Sequence, residues 1–168
     1  MMSKGKKDVH YSKGVKRMII KLDLHNLSLV KELFELQKAS YLVEAKLINF
    51  FDIPPLKETM EELKNCGELF LGYFEDEKLA GALSYTIDGE ELTICRMVVH
   101  PNHFRKGIAQ RLLAEVEKNN KELKVFKVST GKDNSPAKRL YLKNDYQLFE
   151  DFEVVPGLYI SNFEKRRV

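Results

Sequence analysis

Between Cys95 and Leu113 the chain passes from an apolar segment, Cys95-Arg96-Met97-Val98-Val99, through Pro101 and a basic loop, into a run whose apolar residues recur at helical spacing. Ile108, Ala109, Leu112, Leu113 and Val116 form that stripe, so the stretch predicts a strand, a tight loop and a helix that starts near Gly107. The first N–H groups of a helix lack intrahelical partners and the dipole there is positive, which makes the start an anion site if a ligand can come close. Gly107 removes the Cβ that would block the approach, and Arg105 and Lys106 add positive charge. The outline is a cradle for pyrophosphate.

Length and composition bound what the cradle belongs to. A chain of 168 residues, 43% hydrophobic and 32% charged, holds one soluble domain with a real core rather than a disordered chain or two domains. No run of about 18 apolar residues exists, so no spanning helix is expected. The N-terminal lysines are not followed by an apolar segment, which argues against a secretory signal and predicts a cytoplasmic protein. Cys66 and Cys95 show neither metal-ligand spacing nor a disulfide framework, and no metal site is expected. Six cations against Asp8 give residues 1–17 a charge of +5, and Lys165, Arg166 and Arg167 add +3, which leaves −5 on the body of a chain of net +3. Such ends are usually solvated, although basic tails also suit nucleic acid or an acidic partner.

Residues 1–14 read as a disordered basic arm, and 15–168 as a single domain. Met18, Ile20, Leu22 and Leu24 alternate with polar neighbours as a first strand; Asn26 or Ser28 caps an amphipathic helix carrying Leu29, Val30, Leu33, Phe34 and Gln37, and a second helical piece covers Tyr41 to Ile48. Pro54-Pro55 exclude helix and leave Asn49 to Pro55 as a loop, whose Phe50, Phe51 and Ile53 either line a pocket or anchor it. A short helix with Leu56, Met60 and Leu63 ends at Gly67. Leu69–Phe74, Leu79–Ile87 and, after the hairpin signal Asp88-Gly89, Leu92–Val99 form an antiparallel meander. Val125–Thr130 follows the strand–helix crossover and should lie parallel to Leu92–Val99. Asn134 or Ser135 caps the last helix, with Pro136 in its first turn, and a hairpin across Pro156-Gly157 closes the chain.

Two motifs in this order resemble the GNAT family of N-acetyltransferases. Phe104-Arg105-Lys106-Gly107-Ile108-Ala109 resembles the family's acyl-CoA loop, Gln/Arg-x-x-Gly-x-Gly/Ala, at Gly107 and Ala109, with Phe104 where Gln or Arg is usual. Asn134 to Tyr146 resembles Asn-x-x-Ala-x-x-x-Tyr-x-x-x-Gly-Phe at Asn134, Ala137, Tyr141 and, conservatively, Tyr146, with Asp145 in place of glycine. The resemblance spans roughly residues 17–163 and implies an α/β fold: a mixed twisted sheet of about seven strands flanked by about four helices. It implies acetyl-CoA as cosubstrate, with pantetheine between the splayed fourth and fifth strands beside Met97, Val98 and Val99. It also implies pyrophosphate on Phe104 to Ala109, with Asn134, Ala137 and Tyr141 beside the cofactor's arm.

The reaction so implied is direct attack of a primary amine, on a small molecule or peptide, in a ternary complex, since no activated Ser or Cys nucleophile is apparent. Tyr141 matches the family's general acid for the thiolate. An alkyl amine of pKa about 10.4 needs a proton acceptor at neutral pH. Where some members carry Glu on the fourth strand this chain has Thr93, which leaves Glu44 and Glu91 as base candidates; His100 and His103 read as surface groups beside the loop. Arg96 either grips a substrate carboxylate or pairs with a neighbouring acid. The acidic body favours a cationic acceptor such as a polyamine, a lysine side chain or a protein N-terminus. Phe104, Asp145 and the uncertain base keep open an acyl-CoA sensor or structural domain without catalysis. A nucleic-acid or ribosome-associated binder ranks lower for want of interleaved aromatics. A homodimer is left open.

Overall fold

The computed structural model describes residues 10–12 and 14–167. Eight strands form one mixed sheet: β1 (His10–Ser12), β2 (Val15–Lys21), β3 (Leu69–Glu75), β4 (Lys78–Asp88), β5 (Glu91–Val99), β6 (Val125–Gly131), β7 (Gln147–Val155) and β8 (Leu158–Arg166). Their order is β1-β2-β3-β4-β5-β6-β8-β7. Only β5 and β6 are parallel neighbours, as the helical crossover between them requires. The helices are α1 (Leu27–Ile48), α2 (Pro54–Lys57), α3 (Met60–Lys64), α4 (Ile108–Asn119) and α5 (Ser135–Lys143).

Two apolar layers hold the sheet between helices. On one face α1 lays Val30, Leu33, Leu36 and Ala45 against Phe70, Leu79, Ala82 and Val98. On the other, α4 and α5 bring Ile108, Leu112, Leu113, Val116 and Tyr141 onto Tyr73, Leu83, Leu92, Phe126 and Phe163. These side chains are almost wholly removed from water, each worth about 1.5–3 kcal/mol of transfer free energy.

The seven expected strands and the parallel pairing are present, and several boundaries differ. The arm expected over 1–14 is not unstructured throughout, because His10–Ser12 pairs with Val15–Arg17 at the sheet edge; residues 1–9 and 13 lie outside the described residues. Tyr41 to Ile48 is no separate piece: α1 runs unbroken for 22 residues from the Asn26 cap, because Lys38-Ala39-Ser40 contains no breaker. Pro54-Pro55 start a one-turn helix instead of excluding one, since the first helical positions need no N–H donor. Ile53 is buried while Phe51 is exposed, so Ile53 is the anchor of this loop. The Asp88-Gly89 turn is shifted by one residue, with Asp88 paired to Glu91 and Gly89 at φ 62°. Lys165 and Arg167 are not a solvated tail. Lys165 pairs with Glu117 at 2.8 Å, and Arg167 donates to the carbonyls of Glu117 and Lys121 and stacks on Phe126.

Candidate active site

β5 and β6 pair only from Glu91↔Val125 to Ile94↔Val128. Past that point β5 stays on β4 and β6 stays on β8, so the two strands diverge as far as Val99 and Gly131. The divergence starts at a bulge. Ser84 faces Arg96 and Tyr85 faces Ile94, which leaves Cys95 as the extra residue that bends the strand. After the bulge, His100 N–H donates to the Ala80 carbonyl on the β4 side; by alternation Met97 and Val99 direct their N–H groups into the gap. Ser40 of α1 accepts from Val99 N–H at 3.2 Å, whereas no residue of β6 is paired opposite Met97. Val98 points its side chain into the α1 layer.

The basic loop follows β5. Pro101–His103 makes one 3-10 turn, and Arg105 and Gly107 are both left-handed, at φ 65° and 76°. Two left-handed residues flanking Lys106 turn the chain sharply into α4, which begins at Ile108 with Gly107 as its cap. A Cβ built on Gly107 meets nothing within 4 Å, so the helix start faces open space. Ile108 is buried and fixes this end of α4 to the sheet; Ala109 is half-buried behind it, and Phe104 is exposed. Lys106 is not a mobile cation: its Nζ lies 3.1 Å from Glu75, which also takes Arg17 at 3.2 Å. Burial alone would raise the Glu75 carboxyl, but Lys106 and Arg17 outweigh it and hold the group below its ordinary value.

Across the gap, Asn134 caps α5 by accepting from Ala137 N–H, and its amide donates to Thr130. Tyr141, about two turns beyond that cap on α5, is buried and packs 5.8 Å from Phe163. Its hydroxyl takes no hydrogen-bond partner among the described residues. Burial, and then the charge of Glu44, push the Tyr141 pKa well above that of an ordinary phenol. Glu44 projects from α1 on the other sheet face and faces the Gly131 N–H and the Asn134 side chain. Burial raises its pKa and these two contacts lower it in part, with a net rise. Residues from opposite faces of a sheet meet here because the strands have parted.

Beside this meeting point a cavity of about 240 Å³ is lined by Tyr41, Pro54, Pro55, Glu58, Glu68, Cys95 and Arg96. Arg96 Nη1 and Nη2 reach Glu58 at 2.6 and 2.9 Å, while Nε reaches Glu68 at 2.8 Å. Pairing with neighbouring acids is thus the role of Arg96. A hollow of similar size among Arg17, Tyr73 and Arg111 borders β2, β3 and α4, two strands away from the gap.

The family model for the acetyltransferase (GNAT) family matches residues 30–146, which include the loop, the gap and the whole of α5. The chain belongs to the GNAT acetyltransferase family. A curated Bacillus subtilis (strain 168) protein, UPF0157 protein YqkA, is 36% identical over 154 residues, covering 90% of this chain and 45% of that protein, so this GNAT chain spans about half the length of that relative. Solved structures share the fold. The PaiA N-acetyltransferase of Thermoplasma acidophilum, in complex with coenzyme A, aligns with TM-score 0.73 at 22% identity over 90% of this chain and 99% of its own. The ribosomal-protein-S18-alanine N-acetyltransferase of Escherichia coli aligns with TM-score 0.72 at 12% identity, over 89% and 93% of the two chains.

The GNAT fold brings Met97, Val99, the Phe104–Ala109 loop, Asn134, Ala137, Tyr141 and Glu44 to the two banks of one gap. It does not bring Glu91 there. Glu91 opens β5 at the far end and pairs with Lys127 at 2.9 Å. Ser40, Tyr41, Glu58 and Glu68 escaped the sequence reading. The one sequence signal was Gln37, a polar residue on the apolar stripe of α1, which is fully buried and accepts from Arg96.

Proposed function

We propose that this chain transfers an acetyl group from acetyl-CoA to a primary amine by direct attack within a ternary complex. The observation that carries the reading is the gap between β5 and β6, flanked by an open helix start on one side and a buried tyrosine, held protonated, on the other. A pantetheine arm is an extended amide chain, and the edge of β5 that β6 leaves unpaired beyond Ile94 suits it as a strand partner would. The N–H groups from Arg105 to Ala109 suit the pyrophosphate. Acetyl-CoA supplies the activated acyl carbon and a thiolate leaving group.

Glu44 takes a proton from the substrate ammonium, directly or through water, and frees the amine to attack; its raised pKa makes it a better acceptor than an ordinary carboxylate. Met97 N–H is directed toward the developing oxyanion. The C–N bond forms first; as the C–S bond then breaks, Tyr141 gives its proton to the departing sulfur and regains one from the second N–H of the nitrogen, so the proton taken by Glu44 is the one released per amide made. A hydroxyl this hard to ionise remains a donor throughout the working range.

The test is calorimetric titration of the full chain with acetyl-CoA and CoA, comparing native protein with Gly107→Ala and Gly107→Glu. Both substitutions share the left-handed strain, about 1 kcal/mol, and in both the added Cβ meets no protein atom within 4 Å, so they differ by the bulk and charge that Glu adds beyond it. Weakening of about tenfold or more specific to Gly107→Glu is expected. Unchanged affinity in that variant, or no binding by the folded native chain, overturns the proposal.

A further inference from the structure

The carboxylates around Arg96 bear on what the acceptor is. A guanidinium has five N–H donors. Arg96 uses Nε on Glu68, Nη1 on both Gln37 and Glu58, and Nη2 on both Glu58 and Glu68, five bonds of 2.6 to 3.2 Å. Its side chain is 11% exposed. No donor is left for a carboxylate of the substrate. The cavity wall therefore carries two carboxylates against one guanidinium, a net charge of −1, and Glu44 on the adjoining bank adds a further carboxyl. Pro54 and Pro55 add wall without donors, and Tyr41 presents a hydroxyl that takes no partner among the described residues.

Resting on the acetyltransferase reading, we infer that Glu58 and Glu68, held in place by Arg96, select the acceptor: the pocket takes a primary amine that carries a second positive charge and excludes amines that carry a carboxylate. Oε1 of each carboxylate is filled by Arg96 together with Gln37 Nε2 at Glu58 and the Ser84 hydroxyl at Glu68, while each Oε2 accepts only from Arg96 Nη2 and keeps a lone pair that a distal ammonium fills without disturbing the clamp. A distal carboxylate meets two like charges and finds no donor. An uncharged alkyl end meets neither gain nor repulsion, so the order of preference is set by charge rather than by size.

The experiment uses the full chain saturated with CoA, a dead-end complex that needs no turnover, and titrates three amines of one length: a four-carbon monoamine, its α,ω-diamine and its ω-amino acid. The diamine is expected to bind about tenfold more tightly than the monoamine, and the amino acid about tenfold more weakly. Glu58→Gln should reduce the ratio of diamine to monoamine affinity by about fivefold. Glu68→Gln, checked by circular dichroism for an intact fold, serves if the first variant does not fold. In turnover the same loss should fall on KM for the diamine and not on kcat. Amino-acid binding equal to or better than the diamine, no binding of any of the three, or an unchanged diamine-to-monoamine ratio in the folded variants overturns the inference. Failure of CoA itself to bind is a separate result, and it overturns the acetyltransferase proposal instead.

Discussion

Glu44 and Tyr141 put opposite demands on one small volume. Burial raises both, so the carboxyl becomes a stronger base and the phenol, though a weaker acid, stays protonated. Tyr141→Phe should lower kcat about a hundredfold with little effect on CoA affinity, read by thiol release and calorimetry. Glu44→Gln should remove the ascending limb of the pH–rate profile that this carboxyl contributes. The same change has a stability signature of predictable sign. A carboxyl whose folded pKa lies above its unfolded value binds more protons when folded, so it costs stability as pH rises from the ordinary 4.5 through the raised folded value. At neutral pH Glu44→Gln should therefore raise Tm while it lowers activity. A lowered Tm would mean that the contacts with Gly131 and Asn134 matter more than desolvation.

At the scale of elements, the site depends on how closely the helices approach the sheet and on what ties loops to strands. Gly81 lets α4 sit directly on β4, where an added Cβ would stand 2.7 Å from Ile108 and 3.2 Å from the Val98 carbonyl. Gly81→Ala should cost about 1–3 kcal/mol in chemical denaturation and loosen the start of α4, weakening CoA binding as well. Arg96 fastens the α2–α3 connection, through Glu58, to the bulge of β5. Arg96→Met would leave Glu58 and Glu68 facing each other without a cation, and a loss of about 3 kcal/mol is expected. Glu75 fastens the phosphate loop to β3 in the same manner, so that Lys106 serves the shape of the loop rather than offering a free charge. β7 runs along the sheet edge fully exposed, with Phe149 and Val154 at bulges and Glu150, Asp151 and Glu153 between them, features that oppose edge-to-edge pairing.

Across the whole molecule the carboxylates respond to acid in two directions. Glu58 and Glu75 have folded pKa values below the ordinary 4.5 because cations outweigh their burial; the stability they contribute is present above that value and is lost as pH falls through the depressed one. Glu44 acts in the opposite sense. Thermal melts in mildly acidic buffers should thus hold steady and then fall steeply below the ordinary carboxylate range, and Glu75→Gln should flatten part of that fall. The described helices include none long and apolar enough to cross a membrane.

The family, the order of elements and the helix start at Gly107 were legible in the sequence because they are local. Spacing, caps and turn residues within about ten positions state them, and the same holds for Asn134 and Tyr141 on α5. The left-handed Asp145, φ 71°, was readable for the same reason. Tertiary structure alone decided the rest. Only the parting of β5 and β6 brings Glu44 from one face to Tyr141 on the other, and only the packing of α1 sets Gln37 on Arg96, 59 residues away. Glu91 and Glu44 are chemically alike, and nothing local distinguishes the carboxylate paired with Lys127 at the surface from the one beside the gap. The charge of a side chain is written in the sequence, but whether that charge is free or already spent on a partner depends on which distant elements the core draws together.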